Sequence, residues 1–269
     1  MKKIDMNKVV SLIFIAIALL NIPLTSLALT GDEIAKKVED RDDGDNSIST
    51  MTMTLIDKHQ KQRVRSMKSF SKDKGVDSQG VIFFLQPSDI KNTAFLTYDF
   101  DDSDKDDDQW LYLPALRKTK RIVSSDKSSS FMGSDFSYAD MTKRSADDYN
   151  NKIVKETKVG DVDVWVIEST AKEQKTIDET DYSKSYLFVR KDNFVVTRAI
   201  HFLDDGKKKY LDVKKMEEID GVWVATHIEM KTTKNKQTTH KTILNLQDIK
   251  FNQEISESFF TVRQIEKGL

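Results

Sequence analysis

Cysteine is absent from all 269 positions. The chain therefore forms no disulfide, offers no lipobox for acylation, and draws its stability from its core. Proline occurs three times, so no Pro/Ser-rich linker divides the chain. Glycine is limited to nine residues, and none builds a phosphate-cradling loop. The four histidines, His59, His201, His227 and His240, have no metal-ligand spacing and no cysteine partners, so neither a metal site nor a cofactor is read. Gly133-Ser134 is the only Gly-Ser pair, and Phe136 stands where a nucleophile elbow needs glycine. No enzyme is read from these residues. Neither sign of charge dominates: 43 Lys+Arg face 44 Asp+Glu. A chain this close to neutral gives no electrostatic case for nucleic acid.

A long hydrophobic run occurs once, at Val9–Leu20, broken only by Ser11. Lys2, Lys3 and Lys8 precede it, Pro23 ends it, and Ser26-Leu27-Ala28 offers small residues where a signal peptidase reads. The pattern predicts a signal peptide over residues 1–28, cleaved after Ala28. A run of about 12 residues is too short to span a bilayer, which takes roughly 20. The mature chain then has 269 less 28, or 241, residues. It loses three Lys and one Asp, leaving 40 basic against 43 acidic side chains, a net charge of −3. The expectation is a mature chain soluble beyond the inner membrane, with one domain over 29–269.

Thr30-Gly-Asp-Glu33 is a capping box, and Ile34, Ala35 and Val38 follow at helical spacing, which predicts a helix over 31–41. From there period-two alternation takes over. Met51, Met53 and Leu55 share one phase; so do Val162, Val164 and Val166, and Val222, Val224, Ile228 and Met230. Turn signals separate the runs at Val159-Gly160-Asp161, Lys191-Asp192-Asn193, Asp204-Asp205-Gly206 and Asp220-Gly221. This patterning predicts about eleven strands in a large antiparallel sheet, a meander from Tyr182 onward. Val81-Ile-Phe-Phe-Leu85 is apolar in both phases, as a strand covered on both faces is. Ser137-Tyr-Ala-Asp140 reads as a second helix start and predicts a short helix over 138–148. The acidic run Asp99–Asp108 fails the EF-hand pattern, with Asp107 at the glycine position and Leu113 at the bidentate glutamate. It reads as a solvated hairpin tip.

Two stretches place large apolar side chains in loop-like sequence: Trp110-Leu-Tyr-Leu-Pro-Ala-Leu-Arg-Lys-Thr-Lys-Arg121 and Phe131-Met-Gly-Ser-Asp-Phe-Ser-Tyr-Ala-Asp-Met141. Together with Phe83-Leu-Gln-Pro-Ser-Asp-Ile-Lys-Asn-Thr-Ala-Phe-Leu-Thr-Tyr98, Glu218-Ile-Asp-Gly-Val-Trp-Val-Ala-Thr226 and Phe259-Phe-Thr261, they resemble the periplasmic outer-membrane lipoprotein-sorting protein family of the LolA-like superfamily. Asn92 stands where that family commonly has Gly; both tolerate left-handed backbone.

The resemblance implies an incomplete, strongly curved antiparallel β-barrel whose open side is plugged by short helices. It implies a carrier that holds lipid, lipoprotein acyl chains or a related hydrophobic ligand in an apolar cavity and moves it between membranes. It also implies an inner-membrane partner, a transporter of the resistance–nodulation–division type. The residues expected to form the lid or line the cavity are Trp110, Tyr112, Leu113, Phe131, Met132, Phe136, Tyr138 and Met141. The alternative is that they only fasten a long loop. Arg117, Lys118, Lys120 and Arg121 form a compact basic cluster, either a solvated strand end or a dock for phosphate headgroups or an acidic partner. A second functional reading is a non-transporting adaptor or sensor that grips a partner protein through the same half-barrel. Arginine–helix hydrogen bonds occur in the wider superfamily; Arg63 and Arg65 lie on an early strand, but no local motif carries that role to them.

Overall fold

A computed structural model describes residues 28–102, 105–203 and 205–269. The expected signal peptide falls on residues 1–27, outside them, with Ala28 alone described.

The capping box forms as expected. Thr30 Oγ1 accepts the Glu33 N–H at 3.2 Å, and the Glu33 carboxylate accepts the Thr30 N–H at 2.7 Å. Helix α1 runs Gly31–Glu39. Its N-terminus docks on the backbone of strand β7 (Tyr149–Val159), where Asp32 Oδ1 accepts the Asn151 N–H at 2.9 Å. A Cβ on Gly31 would lie 2.3 Å from the Asn151 carbonyl oxygen and 2.8 Å from the Lys152 Cα. Backbone atoms cannot swing aside as a flexible side chain does. Gly31→Ala is therefore expected to destabilise the fold by about 1–3 kcal/mol, read as a lower urea midpoint.

Thirteen strands form one antiparallel sheet in the order β6-β5-β4-β3-β2-β1-β13-β12-β11-β10-β9-β8-β7. The sheet stays open, with β6 (Lys118–Ile122) and β7 as its edges. Sequence alternation predicts about eleven strands. Short charged ones escape it: β6, Lys-Thr-Lys-Arg-Ile, carries no apolar alternation to read. The other strands are β1 Asn46–Asp57, β2 Gln62–Lys74, β3 Asp77–Gln86, β4 Ala94–Asp99, β5 Asp108–Leu113, β8 Val162–Ala171, β9 Tyr182–Arg190, β10 Val196–Leu203, β11 Lys208–Ile219, β12 Val222–Lys234 and β13 Gln237–Phe251. From β9 each strand pairs with the next, and β13 returns to β1. Asp220 and Gly221 both take positive φ, 52° and 86°, as a tight hairpin turn needs. Asn92 sits at φ 67° in the β3–β4 connection, the left-handed geometry that Asn and Gly both tolerate.

Strands β1–β5 are covered on both faces. On the outer face Phe70, Val81, Phe83 and Leu96 pack against Phe259, Phe260 and Ile265 of the C-terminal segment, which ends in helix α3 (Val262–Lys267). On the concave face lies the connection from β6 to β7, which runs from one sheet edge to the other. This explains why β3 is apolar in both phases. Among the described residues no helix is long and apolar enough to cross a membrane.

The expected helix over 138–148 is replaced by two 3-10 turns, Ala139–Met141 and Ala146–Asp148. Its cap does form: the Ser137 N–H donates to Asp140 Oδ2 at 2.7 Å and the Asp140 N–H to Ser137 Oγ at 3.3 Å. Thr142 is nevertheless extended, φ −119° and ψ 167°. An isolated helical turn is marginal, and this one has only Tyr138 and Met141 to pack, while Arg144 is drawn to Ser169 and Tyr149 on β7 and β8.

Candidate functional site

Directly paired residues in an antiparallel sheet share a face. One concave row therefore reads, across β7 to β1, Ile153, Ile167, Leu187, Ala199, Leu211, Met230, Thr242 and Leu55. The neighbouring row on the same face reads Asn151, Ser169, Ser185, His201, Lys209, Thr232 and His240. An apolar stripe thus lies beside a polar one.

The connection 123–148 crosses this face and fills its apolar part from Met230 to Leu111, while Ile34 and Val38 of helix α1 cover the other end at Ile167, Leu187 and Ala199. Phe131, Phe136 and Tyr138 are buried among Met51, Met53, Leu55, Met67, Phe84, Phe95, Leu111 and Met230. The Phe131 ring centroid lies 5.1 Å from Phe95 and 5.6 Å from Tyr138. Met132 and Met141 pack against this cluster partly exposed, and so does Leu113. Six of the sequence-predicted lid residues therefore meet on one face: Leu113, Phe131, Met132, Phe136, Tyr138 and Met141.

Trp110 and Tyr112 do not join them. They alternate with Leu111 and Leu113 on β5 and pack in the outer cluster with Phe260 and Ile265, and Trp110 stands 5.0 Å from Tyr98. Period two sends them away from the cavity, so they are structural fasteners of the C-terminal segment. The basic cluster is divided in the same way. Lys120 pairs with Asp126 at 2.8 Å, while Arg121 pairs with Asp108. Arg117 and Lys118 are exposed.

Polar contacts that sequence reasoning missed hold the connection down. Arg65, buried on β2, donates from Nη1 to the Met132 carbonyl at 2.5 Å. Its burial holds its pKa below the usual arginine value. Gln109, fully buried on β5, donates from Nε2 to the Tyr138 carbonyl at 2.9 Å. Asp135, 4% exposed, accepts from Thr232 Oγ1 at 2.5 Å, Thr242 Oγ1 at 2.7 Å and His240 Nδ1 at 2.7 Å. A signal for Arg65 existed: it shares the phase of buried Met67, where a solvated arginine has no place.

The open space differs from the purely apolar hollow that the resemblance implies, because the connection and helix α1 together occupy the apolar stripe. What remains is a cavity of about 480 Å³ beside residues 139–148, bounded by helix α2 (Gln174–Thr180) and the acidic hairpin tip. Its rim is charged, with Asp106, Asp107, Lys143 and Lys175 among others. Its floor is Phe136, Leu211, Met230, Tyr182 and His201, where the two stripes meet. Burial lowers the His201 pKa to about 4, so its ring is neutral at pH 7. No group of acids and histidines able to hold a metal occurs among the described residues.

A family model described only as an uncharacterized protein matches residues 76–267. None of the curated proteins matches the chain. Similar solved structures include an outer membrane lipoprotein-sorting protein domain from Vibrio parahaemolyticus, at 31% identity and TM-score 0.79 over 88% of this chain and 98% of that one. A DUF1329 family protein from Desulfovibrio piger is 29% identical, with TM-score 0.80 over 87% of this chain and 97% of that one. A LolA superfamily protein from Nitrosomonas europaea shares the fold at 18% identity and TM-score 0.66, over 88% and 99% of the two chains.

Proposed function

The chain belongs to the outer membrane lipoprotein-sorting protein family of the LolA-like superfamily, and from that premise we propose that it is a periplasmic carrier for lipid, lipoprotein acyl chains or a related hydrophobic ligand. The ligand binds on the apolar stripe after the 123–148 connection lifts. The carrier then shuttles between membranes and exchanges its load at an inner-membrane transporter of the resistance–nodulation–division type.

One observation carries this reading. The apolar part of the concave face around Met51, Met53, Leu55, Met67, Phe84, Phe95 and Met230 is filled by a single connection, held by a few hydrogen bonds from β2, β5, β12 and β13. Acyl chains cost about 0.8 kcal/mol per methylene in water, so they need such a surface to cross an aqueous compartment. Phe131, Phe136 and Tyr138 occupy it in the closed state, and an acyl chain replaces them in the loaded one. The methionines Met51, Met53, Met67 and Met230 suit a surface that packs two different occupants, because an unbranched thioether adapts its shape.

Native mass spectrometry of the protein taken from its own periplasm, without detergent, tests the proposal. The expected result is the chain carrying lipid-sized adducts, released into organic extract. A bare chain with clean extracts would overturn it. Photo-cross-linking from position 136 separates the adaptor reading: adducts to one protein and none to lipid would favour the adaptor.

A further inference from the structure

The cavity beside residues 139–148 holds a cation whose partner is missing from the fold. Arg144 reaches β7 and β8 from the connection. Its Nη2 donates to Ser169 Oγ at 2.7 Å, and its guanidinium carbon lies 3.2 Å from the centroid of the Tyr149 ring. Ser169 Oγ donates its own proton to Asn151 Oδ1 at 2.6 Å, leaving its lone pairs to Arg144. Asn151 Nδ2 is in turn bonded to Asp32 Oδ1 at 3.2 Å. The guanidinium is therefore fixed in position before any ligand arrives.

It makes no ion pair among the described residues. Asp140 and Asp148 attract it only at longer range. Asp140 is committed elsewhere: it accepts from the Tyr182 hydroxyl at 2.9 Å and the Ser137 N–H at 2.7 Å, and it lies 3.9 Å from Lys209 Nζ. Burial lowers the Arg144 pKa, yet a guanidinium does not discharge near neutrality. A half-buried cation with one neutral acceptor and one aromatic face is costly to keep. Its unused N–H donors form a planar fork, and that fork matches a carboxylate or phosphate.

We propose that Arg144 recognises the head of an anionic amphiphile, a lipid carboxylate or phosphate, seated in the 480 Å³ cavity with its tail on the apolar stripe. This inference rests on the carrier reading and names its ligand class. The geometry supports the division of labour. Arg144 meets the sheet at Ser169, in the polar row, and Ile167 stands two residues along β8 in the apolar row. Leu211 and Met230 continue that apolar row into the cavity floor. A head on Arg144 therefore places its tail under Phe136. The rim mixes carboxylates with lysines, Asp106 pairing with Lys175 at 2.7 Å, and so adds no net attraction for a bare anion; the tail is required for binding and inorganic phosphate is a poor ligand.

The test is calorimetric titration of the mature chain with dodecanoate, dodecyl phosphate and dodecyl maltoside, each below its micelle-forming concentration, and with inorganic phosphate. The three amphiphiles share one tail. The expected result is that at least one anionic amphiphile binds more tightly than the maltoside, and that Arg144→Gln weakens it about 10- to 100-fold while the maltoside is unchanged. Whichever anion binds more tightly identifies the head. If Arg144→Gln fails to fold, Arg144→Lys keeps the charge and loses the fork; a selective fall in anion affinity answers the same question. Equal affinity for all three amphiphiles, unmoved by either variant, would overturn the head assignment and leave the carrier reading standing. Binding of inorganic phosphate as tight as that of dodecyl phosphate would also overturn it. No heat from any amphiphile would remove the carrier reading itself.

Discussion

Asp135→Ala is expected to detach the 123–148 connection from the concave face while the sheet stays folded. Three donors converge on this carboxylate: Thr232 Oγ1, Thr242 Oγ1 and His240 Nδ1. Thr242 is fully buried, so its hydroxyl has no water to turn to once the carboxylate is gone. Removing one member of a buried charged network costs about 3–5 kcal/mol. The apolar side of the balance is of similar size, since burying each aromatic ring contributes about 1.5–3 kcal/mol. Ordering each residue of 131–138 costs roughly 1–2 kcal/mol of backbone entropy against it. The closed state is thus poised, and the Asp135 contacts decide it. The sheet is bonded strand to strand, β1–β5 are covered outside by the C-terminal segment and β8–β10 inside by helix α1, so it does not depend on them. Hydrogen exchange at 131–138 is expected to rise by two orders of magnitude or more, while β9–β12 keep their protection; a fall of about 3 kcal/mol in local opening energy corresponds to that factor. A hydrophobic dye is expected to bind the variant and not the parent. Unchanged exchange at 131–138 would show that Asp135 does not hold the lid. Loss of protection across the whole sheet would show that the connection is part of the core and not a lid.

Much of this arrangement was legible in the sequence, for reasons that differ from element to element. Helix α1 was readable because its cap is local: Thr30 and Glu33 satisfy each other without help from the rest of the chain. The strands were readable because burial on one face imposes alternation, as at Met51, Met53 and Leu55. The hairpin turns were readable because Asp220-Gly221 needs positive φ. What could not be read was which phase of a strand faces which cover. Trp110 and Leu111 are both apolar, and only the position of Phe260 against one and Phe131 against the other tells them apart. The helix expected over 138–148 failed because its cap is local but its packing is not. Asp140, the residue that suggested the helix, is bonded to Tyr182 across the cavity. The polar residues that hold the lid, Arg65, Gln109 and Asp135, were the least legible. Gln109 looks like an ordinary surface residue until the fold places it beneath the connection, Asp135 until Thr232, Thr242 and His240 close around it, and Arg65 is betrayed only by the phase it shares with Met67.

Asp99→Asn is expected to make the protein more stable at pH 8 and to change little at pH 4. Asp99 ends β4 at the wall of the cavity, and its Oδ2 accepts the Lys143 N–H at 2.6 Å. Burial, aided by the nearby Asp107 carboxylate, raises its pKa from 3.8 to about 7, against the opposing hydrogen bond and charge of Lys143. Between those two values the folded chain holds a proton that the unfolded chain has released. Stability therefore falls as pH rises through that window, and the loss is complete above about pH 7. At 1.36 kcal/mol per unit the full window is worth no more than ~4 kcal/mol. Partial exposure of Asp99 puts the expected gain for the variant at ~2–4 kcal/mol near pH 8. Asparagine keeps an oxygen to accept the Lys143 N–H, so the substitution removes the charge and preserves the bond. His201 acts in the opposite direction. Its pKa of about 4 makes stability fall as pH drops below 6.5, but both proteins share that slope and it cancels in their difference. Urea midpoints from pH 4 to pH 8 for the two proteins are expected to coincide at the acid end and diverge toward the alkaline end. Parallel curves would mean that Asp99 ionises normally in the folded chain, and the cavity wall would then carry its full negative charge at neutral pH.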